Sequence, residues 1–142
     1  MFQKIVSAID GSKTSEAALL KAVDEAIAGK GELHAVYVVE TGLFSSIPMD
    51  NTWEVIYGLL EKEGQEALTA ARQKAKEAGI DIITHMRQGR AGNEILLLAE
   101  EIGADLIVVG SHGKSNIDRL LIGSVSSHVV KYSKISTLVV RS

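Results

Sequence analysis

The chain has 142 residues, carries a formal net charge of −3 and contains no cysteine. This length fits one domain built around one core, and 46% hydrophobic with 23% charged residues is ordinary for a soluble globular protein. The absence of cysteine excludes disulfides, thiolate nucleophiles and cysteine metal sites, and it suits a reducing cytoplasm. The acidic balance argues against nucleic acid or an anionic membrane as the main partner, because both require a basic surface.

The N-terminal segment and the apolar runs bear on where the protein is located. The N-terminal residues lack the basic leader and long apolar stretch of a secretory signal peptide. No apolar run approaches the roughly 18 residues that a membrane-spanning helix needs. We therefore expect a soluble, cytoplasmic protein.

Short apolar runs alternate with longer helical patterns along the chain. The predicted elements are a strand at 5–9, a helix at 15–28, a strand at 33–39, a loop at 40–50, a helix at 52–78, a strand at 80–87, a helix at 94–101, a strand at 106–109, a helix at 123–131 and a strand at 136–140. Gly29, Gly31 and Gly79 predict helix ends. Strands that alternate with helices predict an α/β fold with a parallel sheet, and the wholly apolar fourth strand predicts helices on both faces. One domain is expected over residues 1–142.

A glycine-containing loop follows the fourth predicted strand. Gly110-Ser111-His112-Gly113 is followed, after nine residues, by Gly123-Ser124 at the start of a helical pattern. Glycines allow a ligand to approach the backbone closely, and a helix start attracts negative charge. Ser124 is expected to be the N-cap residue, with a hydroxyl that can also donate to a phosphate oxygen. Because Asp10 and Glu40 also follow strands, they should share this edge of the sheet, where ligands bind in such folds. The motif predicts a nucleotide site, with ATP as the leading ligand.

Several familiar motifs are excluded. Gly113-Lys114-Ser115 is not a P-loop, because position 108 is valine where that motif requires glycine. No G-x-G-x-x-G follows a strand, so dinucleotide binding has no support. No G-x-S-x-G elbow surrounds Ser111. The remaining histidines fall in different predicted elements without the spacing of zinc ligands: His34, His85 and His128.

Other residues keep two interpretations at this point. For Asp10, a structural role in a turn and a role in the nucleotide site are equally favoured. His112 either approaches a phosphate or is an exposed loop residue. Lys114 is either a phosphate partner or a solvated charge, and Arg119 is interpreted as solvated.

The spacing Gly110-x2-Gly113-x9-Gly123-Ser124 resembles the nucleotide-binding signature of the ATP-binding branch of the universal stress protein family. The resemblance extends from Lys4-Ile5-Val6 and Asp10-Gly11-Ser12 near the start to Thr137-Leu138-Val139-Val140 near the end. It covers essentially the whole chain, and residues 40–58 match least. The resemblance implies a Rossmann-like sheet of the adenine nucleotide alpha hydrolase type, with the strand order 3-2-1-4-5.

The resemblance also implies roles for particular residues. The backbone around Val36, at the end of the second strand, would face the adenine, Asp10 would lie near the ribose or a metal-bound water, and Gly110 would contact the ribose. The phosphates would be held mostly by backbone N–H groups, at Gly113, Gly123, Ser124 and Val125. Two strand residues complete the implied set: Ala8, where the branch often has proline, and Val109.

Function follows from the same resemblance. It implies a nucleotide-dependent regulator or switch in a stress response, with ATP carrying Mg²⁺ or Mn²⁺ on its outer phosphate oxygens. It also implies a homodimer formed through the C-terminal strand, and the apolar run at 137–140 independently favours a covered edge. The alternatives are a slow ATPase or nucleotide transferase, and a nucleotide-free interaction module. Too few candidate groups are present to assign catalytic residues.

Overall fold

Five parallel strands alternate with four α-helices in the computed structural model, which describes residues 1–44, 51–112 and 123–141. The strands are β1 (Lys4–Ala8), β2 (Glu32–Glu40), β3 (Ile83–Gly89), β4 (Leu106–Gly110) and β5 (Ser136–Val140). The helices are α1 (Lys13–Gly29), α2 (Asn51–Glu77), α3 (Ala91–Ile102) and α4 (Ser124–Tyr132), and a 3₁₀ turn (Thr41–Phe44) follows β2. The strand order is β3-β2-β1-β4-β5 with every neighbouring pair parallel. The predicted fold class and strand order are confirmed.

The core is divided by the sheet into two layers. Alternate residues of β4 point to opposite faces, so Leu106 and Val108 pack with α1 and α2, whereas Ile107 and Val109 pack with α3 and α4. All four are at most 3% exposed. The continuous apolar pattern of this strand therefore reflects helices on both faces, as predicted.

Helix ends are set in two different ways. Gly79 follows α2 with a positive φ of 90° and terminates it, as predicted. At the end of α1 the left-handed residue is Lys30, with a φ of 52°, rather than either neighbouring glycine. A Cβ atom at Gly29 would lie 2.5 Å from the carbonyl oxygen of Phe2, so packing on the N-terminal backbone explains that glycine.

Two boundaries differ clearly from the prediction. β3 begins three residues later, because Ile80 is used to close α2 through a hydrogen bond from its N–H to the carbonyl of Ala75 at 2.9 Å. α3 begins at Ala91 rather than 94, because a side chain from another strand accepts the Ala91 N–H. That side chain is Glu40, 51 residues away in sequence, at the end of β2.

Candidate functional site

The carboxyl ends of the strands form one edge of the sheet, and β1 and β4 are neighbours there. The loops after these two strands therefore lie side by side, at the point where the chain order reverses. Asp10 follows β1, and Gly110 ends β4. The sequence prediction that these two segments share an edge is confirmed.

The loop after β1 is held by its own polar groups. Asp10 accepts a hydrogen bond from the Ser12 N–H through Oδ1 at 2.8 Å, and its own N–H donates to Ser15 Oγ at 3.1 Å. Ser12 Oγ in turn accepts the Ser15 N–H and caps α1. Asp10 thus has the turn role that the sequence left open. Its second carboxylate oxygen, Oδ2, makes no hydrogen bond within the described part of the chain and stays available to a ligand.

The Asp10 carboxylate also acts on a buried neighbour. Burial raises the pKa of the Tyr37 phenol, and the negative charge of Asp10 raises it further. Tyr37 is only 5% exposed and belongs to the core layer shared by α1 and α2. Asp10 is therefore close enough to that layer to influence it electrostatically.

Gly110 is explained by packing. A Cβ atom at this position would lie 2.7 Å from Cγ2 of Thr14, in the first turn of α1. Any larger residue would push α1 away from the end of β4. The close approach that this glycine permits in the described structure is therefore between the end of β4 and the first turn of α1.

His112 connects the loop after β4 to the first turn of α1. Its Nδ1 lies 3.0 Å from Ser111 Oγ, and its Nε2 lies 3.2 Å from Thr14 Oγ1. Both ring nitrogens contact hydroxyl groups, so the side chain is not a free loop histidine. That His112 approaches a phosphate stays a prediction.

Ser111 joins the loop to two further elements. Its carbonyl accepts hydrogen bonds from the Gly123 N–H and, at 3.0 Å, from Ser126 Oγ. Its own N–H donates to the carbonyl of Val140, the last residue of β5, at 2.8 Å. Ser111 is 1% exposed, so these bonds are shielded from water.

The start of α4 lies at the same edge of the sheet. Gly123 is the N-cap residue, with extended dihedrals (φ −67°, ψ 166°), and no side chain caps the helix. The prediction that Ser124 is the N-cap is wrong: the extended backbone of Gly123 makes Ser124 the first helical residue. Within the residues that the structure describes, the N–H groups of Ser124 and Val125 make no hydrogen bond. A Cβ atom at Gly123 would lie 3.1 Å from Cα of His112 and 3.2 Å from the Ser111 carbonyl oxygen, so this position is also tightly packed.

Other predicted site residues have mixed outcomes. Ala8 and Val109 lie on β1 and β4 beneath the two loops, as expected. Val36 is not at the end of its strand, because β2 continues to Glu40. It pairs with Ala8, is 1% exposed, and its carbonyl already accepts the Ile9 N–H at 2.8 Å.

The predicted residues Gly113, Lys114 and Arg119 lie outside the described residues.

Sequence reasoning missed a crevice beside these residues. A cavity of about 450 Å³ lies between the first turns of α3 and α4. Ser124 and Val125 line one side, Arg90 and Asn93 line the other, and Glu40 lies at the end of β2. The Glu40 carboxylate accepts the N–H of Ala91 at 2.8 Å and that of Gly42 at 3.3 Å. No local sequence motif marks this crevice. It forms because β2 and β3 pair up to Glu40 and Gly89, and this pairing places the start of α3 at the same edge of the sheet.

Two polar clusters on β3 lie apart from the crevice. His34 Nδ1 is 2.8 Å from His85 Nε2, and His34 Nε2 contacts Glu32. Burial lowers the pKa of His85, and the neighbouring His34 and then Arg87 lower it further, against a smaller opposite effect of Glu101. Arg87 pairs with Glu101 through two hydrogen bonds of 2.7 and 2.9 Å and with Glu94 at 3.1 Å, and the hydrogen bond to Arg87 lowers the pKa of Glu101.

The described residues contain no group of three or more His, Cys, Asp and Glu side chains placed to hold a metal ion. The two histidines that sequence spacing had separated do meet across β2 and β3, but as a hydrogen-bonded pair. Across the described ranges, no helix combines the length and apolarity that a membrane span requires.

Comparison with known proteins gives consistent matches over the full chain. The model of the universal stress protein family matches residues 1–141. Universal stress protein MJ0531 of Methanocaldococcus jannaschii is 41% identical over 141 residues, covering 99% of this chain and 83% of that protein. The solved structure of the hypothetical protein MJ0577 of the same organism superposes with a TM-score of 0.87 at 27% identity, covering 100% and 97% of the two chains. A universal stress protein solved in complex with cAMP is 30% identical, with a TM-score of 0.71 and 99% and 97% coverage.

Proposed function

The chain belongs to the universal stress protein family, and from this membership we propose that it is a cytoplasmic regulator that binds an adenine nucleotide, ATP in the first place. The observation that carries the proposal is that, among the described residues, nothing accepts the N–H groups of Ser124 and Val125, at the edge where the β1 and β4 loops meet. A helix start with free donors favours phosphate. The cAMP complex of a 30% identical relative supports an adenine nucleotide as the ligand class.

The phosphates are assigned to the N–H groups of Gly113, Ser124 and Val125, with Gly123 keeping the backbone accessible. Asp10 Oδ2 is the proposed partner of the ribose, because Oδ1 is occupied by the Ser12 N–H. Gly110 retains its proposed place beside the ribose.

The base is proposed to lie near Val38 rather than Val36. Val38 is on the same face of β2, two residues closer to the carboxyl edge, and it is only partly buried. The full burial of Val36 leaves it no surface for a base.

Gly110 and Gly123 place no side chain at the proposed nucleotide edge. Cβ atoms at Gly110 and Gly123 would occupy space within 2.7–3.2 Å of neighbouring atoms, so the loops pack closely and the edge stays free of side chains at those points. The Mg²⁺ or Mn²⁺ ion is proposed to arrive with the nucleotide. Its ligands would then be outer phosphate oxygens and water, which suits a hard cation that keeps part of its hydration shell.

Binding rather than turnover is proposed because the nearby candidate bases are wholly or partly engaged within the described residues. Asp10 uses Oδ1 in its turn, and His112 uses both ring nitrogens. Efficient phosphoryl transfer requires a positioned nucleophile together with charge neutralisation at the transferred group. The slow ATPase therefore stays a second outcome to be measured alongside binding.

A homodimer through β5 is proposed as the assembly. β3 and β5 are the two edges of the sheet, and β3 carries His85 and Arg87 whereas β5 (Ser136–Val140) carries no charge. Uncharged edges are the ones that proteins normally cover. Light scattering coupled to size-exclusion chromatography should give twice the chain mass, and a Leu138→Lys variant, altered at a 36% exposed edge position, should elute as a monomer.

The direct test is to denature freshly purified protein and identify the released small molecules by mass spectrometry, with calorimetric titration of Mg·ATP in parallel. Recovered adenine nucleotide or saturable binding supports the proposal. An empty protein that also fails to bind ATP, ADP, AMP and cAMP supports the nucleotide-free interaction module instead. Release of phosphate from bound ATP during the titration would point to the slow ATPase.

A matched glycine pair tests the site assignment. Gly123→Val should abolish ATP binding and leave the far-UV circular dichroism spectrum unchanged, because the added side chain crowds the α4 start. Gly58→Val is the control, since a Cβ atom at that position on α2 has no neighbour within 4 Å. Unchanged affinity in Gly123→Val would move the phosphate site elsewhere.

A further inference from the structure

Arg90 lies directly across the crevice from the start of α4. It lines the same cavity of about 450 Å³ as Ser124 and Val125, and it is the residue that precedes α3. Its backbone position is fixed, because its carbonyl accepts the Glu94 N–H at 2.9 Å and the adjacent Ala91 N–H is bound by Glu40. The backbone that carries this side chain is therefore held in place.

The guanidinium of Arg90 has no hydrogen bond or ion pair to any residue that the structure describes. Arg87, three residues earlier, is the opposite case, since its guanidinium is paired with both Glu94 and Glu101. A guanidinium presents five N–H donors in a planar fork that matches a phosphate group. Arg90 thus brings a positive charge to a cavity whose lining includes the α4 start, and within residues 1–44, 51–112 and 123–141 neither its guanidinium nor the N–H groups of Ser124 and Val125 have a partner.

The Glu40 carboxylate lines the same cavity but forms no ion pair with Arg90 within the described residues. Both oxygens of Glu40 accept backbone N–H groups, from Ala91 and from Gly42. Arg90 instead packs its stem over Gly42, where a Cβ atom would lie 3.7 Å from Arg90 Cγ and 4.0 Å from Arg90 Nε. The side chain is held at the rim of the crevice without an anionic partner in the described chain.

We propose that Arg90 is a specificity-determining residue that binds a phosphate group of the nucleotide from the α3 side, opposite the N–H groups of Ser124 and Val125. This inference rests on the proposed nucleotide site and adds to it the selection of phosphorylated ligands over the bare nucleoside. Charge-assisted contacts of this kind are among the strongest polar interactions, so their loss should be measurable.

The test compares Arg90→Gln with wild type for three probes: Mg·ATP, adenosine and inorganic tripolyphosphate. Calorimetry measures the first, and ligand-observed NMR measures the weaker two. Arg90→Gln should weaken ATP by about tenfold, weaken tripolyphosphate in proportion, and leave adenosine unchanged. Arg90→Lys should recover part of the loss, because it keeps the charge without the planar fork.

Arg72→Gln is the matched control. Arg72 lies on α2, is exposed, donates to Thr84 Oγ1 at 2.7 Å and is not part of the crevice, so the same charge change should leave all three affinities within twofold. Thermal unfolding and circular dichroism check that each variant folds.

The outcomes separate this inference from the proposed function. If wild type and Arg90→Gln bind ATP equally well, the proposed role of Arg90 is wrong, but the proposed nucleotide site is supported. Equal loss of ATP and adenosine affinity in Arg90→Gln also overturns it, because the contact would then be to the base or ribose. Wild-type protein that binds none of the three probes overturns the proposed site, and the inference fails with it.

Discussion

Removal of the Glu40 carboxylate should destabilise the protein through α3. Glu40 Oε2 accepts the Ala91 N–H at 2.8 Å, and Arg90 provides no side-chain cap, so within the described chain this carboxylate is the side chain that satisfies the start of the helix. A lost cap costs about 0.5–2 kcal/mol. The favourable interaction of a negative charge with the helix start contributes roughly 0.3–1 kcal/mol of this.

Two variants separate the hydrogen bond from the charge. Glu40→Ala removes both and should cost about 1.5 kcal/mol, whereas Glu40→Gln keeps an acceptor oxygen and should cost about 0.5 kcal/mol. Glu66→Ala and Glu66→Gln are the controls, because Glu66 is exposed on α2 and makes no hydrogen bond or ion pair within the described residues. The controls should lie within about 0.5 kcal/mol of wild type.

Urea unfolding followed by circular dichroism measures these differences. The midpoint for Glu40→Ala should fall by roughly 1 M at constant m. The protein must first be stripped of nucleotide, because a bound ligand raises the apparent stability by mass action. If Glu40→Ala matched Glu66→Ala, the carboxylate would not be capping α3, and the physical reason given for the early start of that helix would be wrong.

Glu40→Gln should lower the stability of the protein but raise its affinity for ATP. Glu40→Gln removes a negative charge from the crevice without emptying the position. At a distance of about 8 Å in a water-like dielectric this is worth on the order of 0.5 kcal/mol, so ATP should bind about twofold more tightly. Weaker ATP binding would contradict the electrostatic description of the crevice.

Two further predictions concern stability. Burial and the adjacent His34 lower the pKa of His85, so near pH 6 the unfolded chain holds more protons than the folded one, and stability should fall as the pH drops below about 6.5. Imidazole NMR titration should give a pKa below 6.5 for His85, and His85→Gln should show a shallower loss of stability between pH 6.5 and 5. Leu98→Ala, at 1% exposure on α3, should cost about 3 kcal/mol in urea unfolding; Leu97→Ala, 46% exposed beside it, should cost under about 1 kcal/mol, and equal costs would contradict the assigned helix face.

The elements predictable from the sequence are those fixed by local pattern. The apolar runs located all five strands, and β5 (Ser136–Val140) agrees with its prediction to the residue. Gly79 ended α2 because its positive φ is a local property of the turn. The alternation of strands with helices was sufficient for the parallel sheet, and hence for the shared edge that holds Asp10 and Gly110.

The remaining features depend on distant residues. The early start of α3 depends on a carboxylate 51 residues away, and the His34–His85 contact depends on the register between β2 and β3. Val36 was misplaced because β2 continues four residues beyond it. Arg90 was not singled out as a site residue because its position opposite Ser124 arises from the packing of α3 beside α4, which no local motif records.

Ser111 connects the start of α4 to the end of the edge strand β5. Only the Cα atom of Ser111 separates the carbonyl that accepts the Gly123 N–H from the N–H that donates to Val140. A displacement of the α4 start by even a fraction of an ångström must therefore either strain the bond to Gly123 or shift Ser111 and loosen the end of β5. The position of the α4 start and the last hydrogen bond of β5 thereby both depend on a single buried serine.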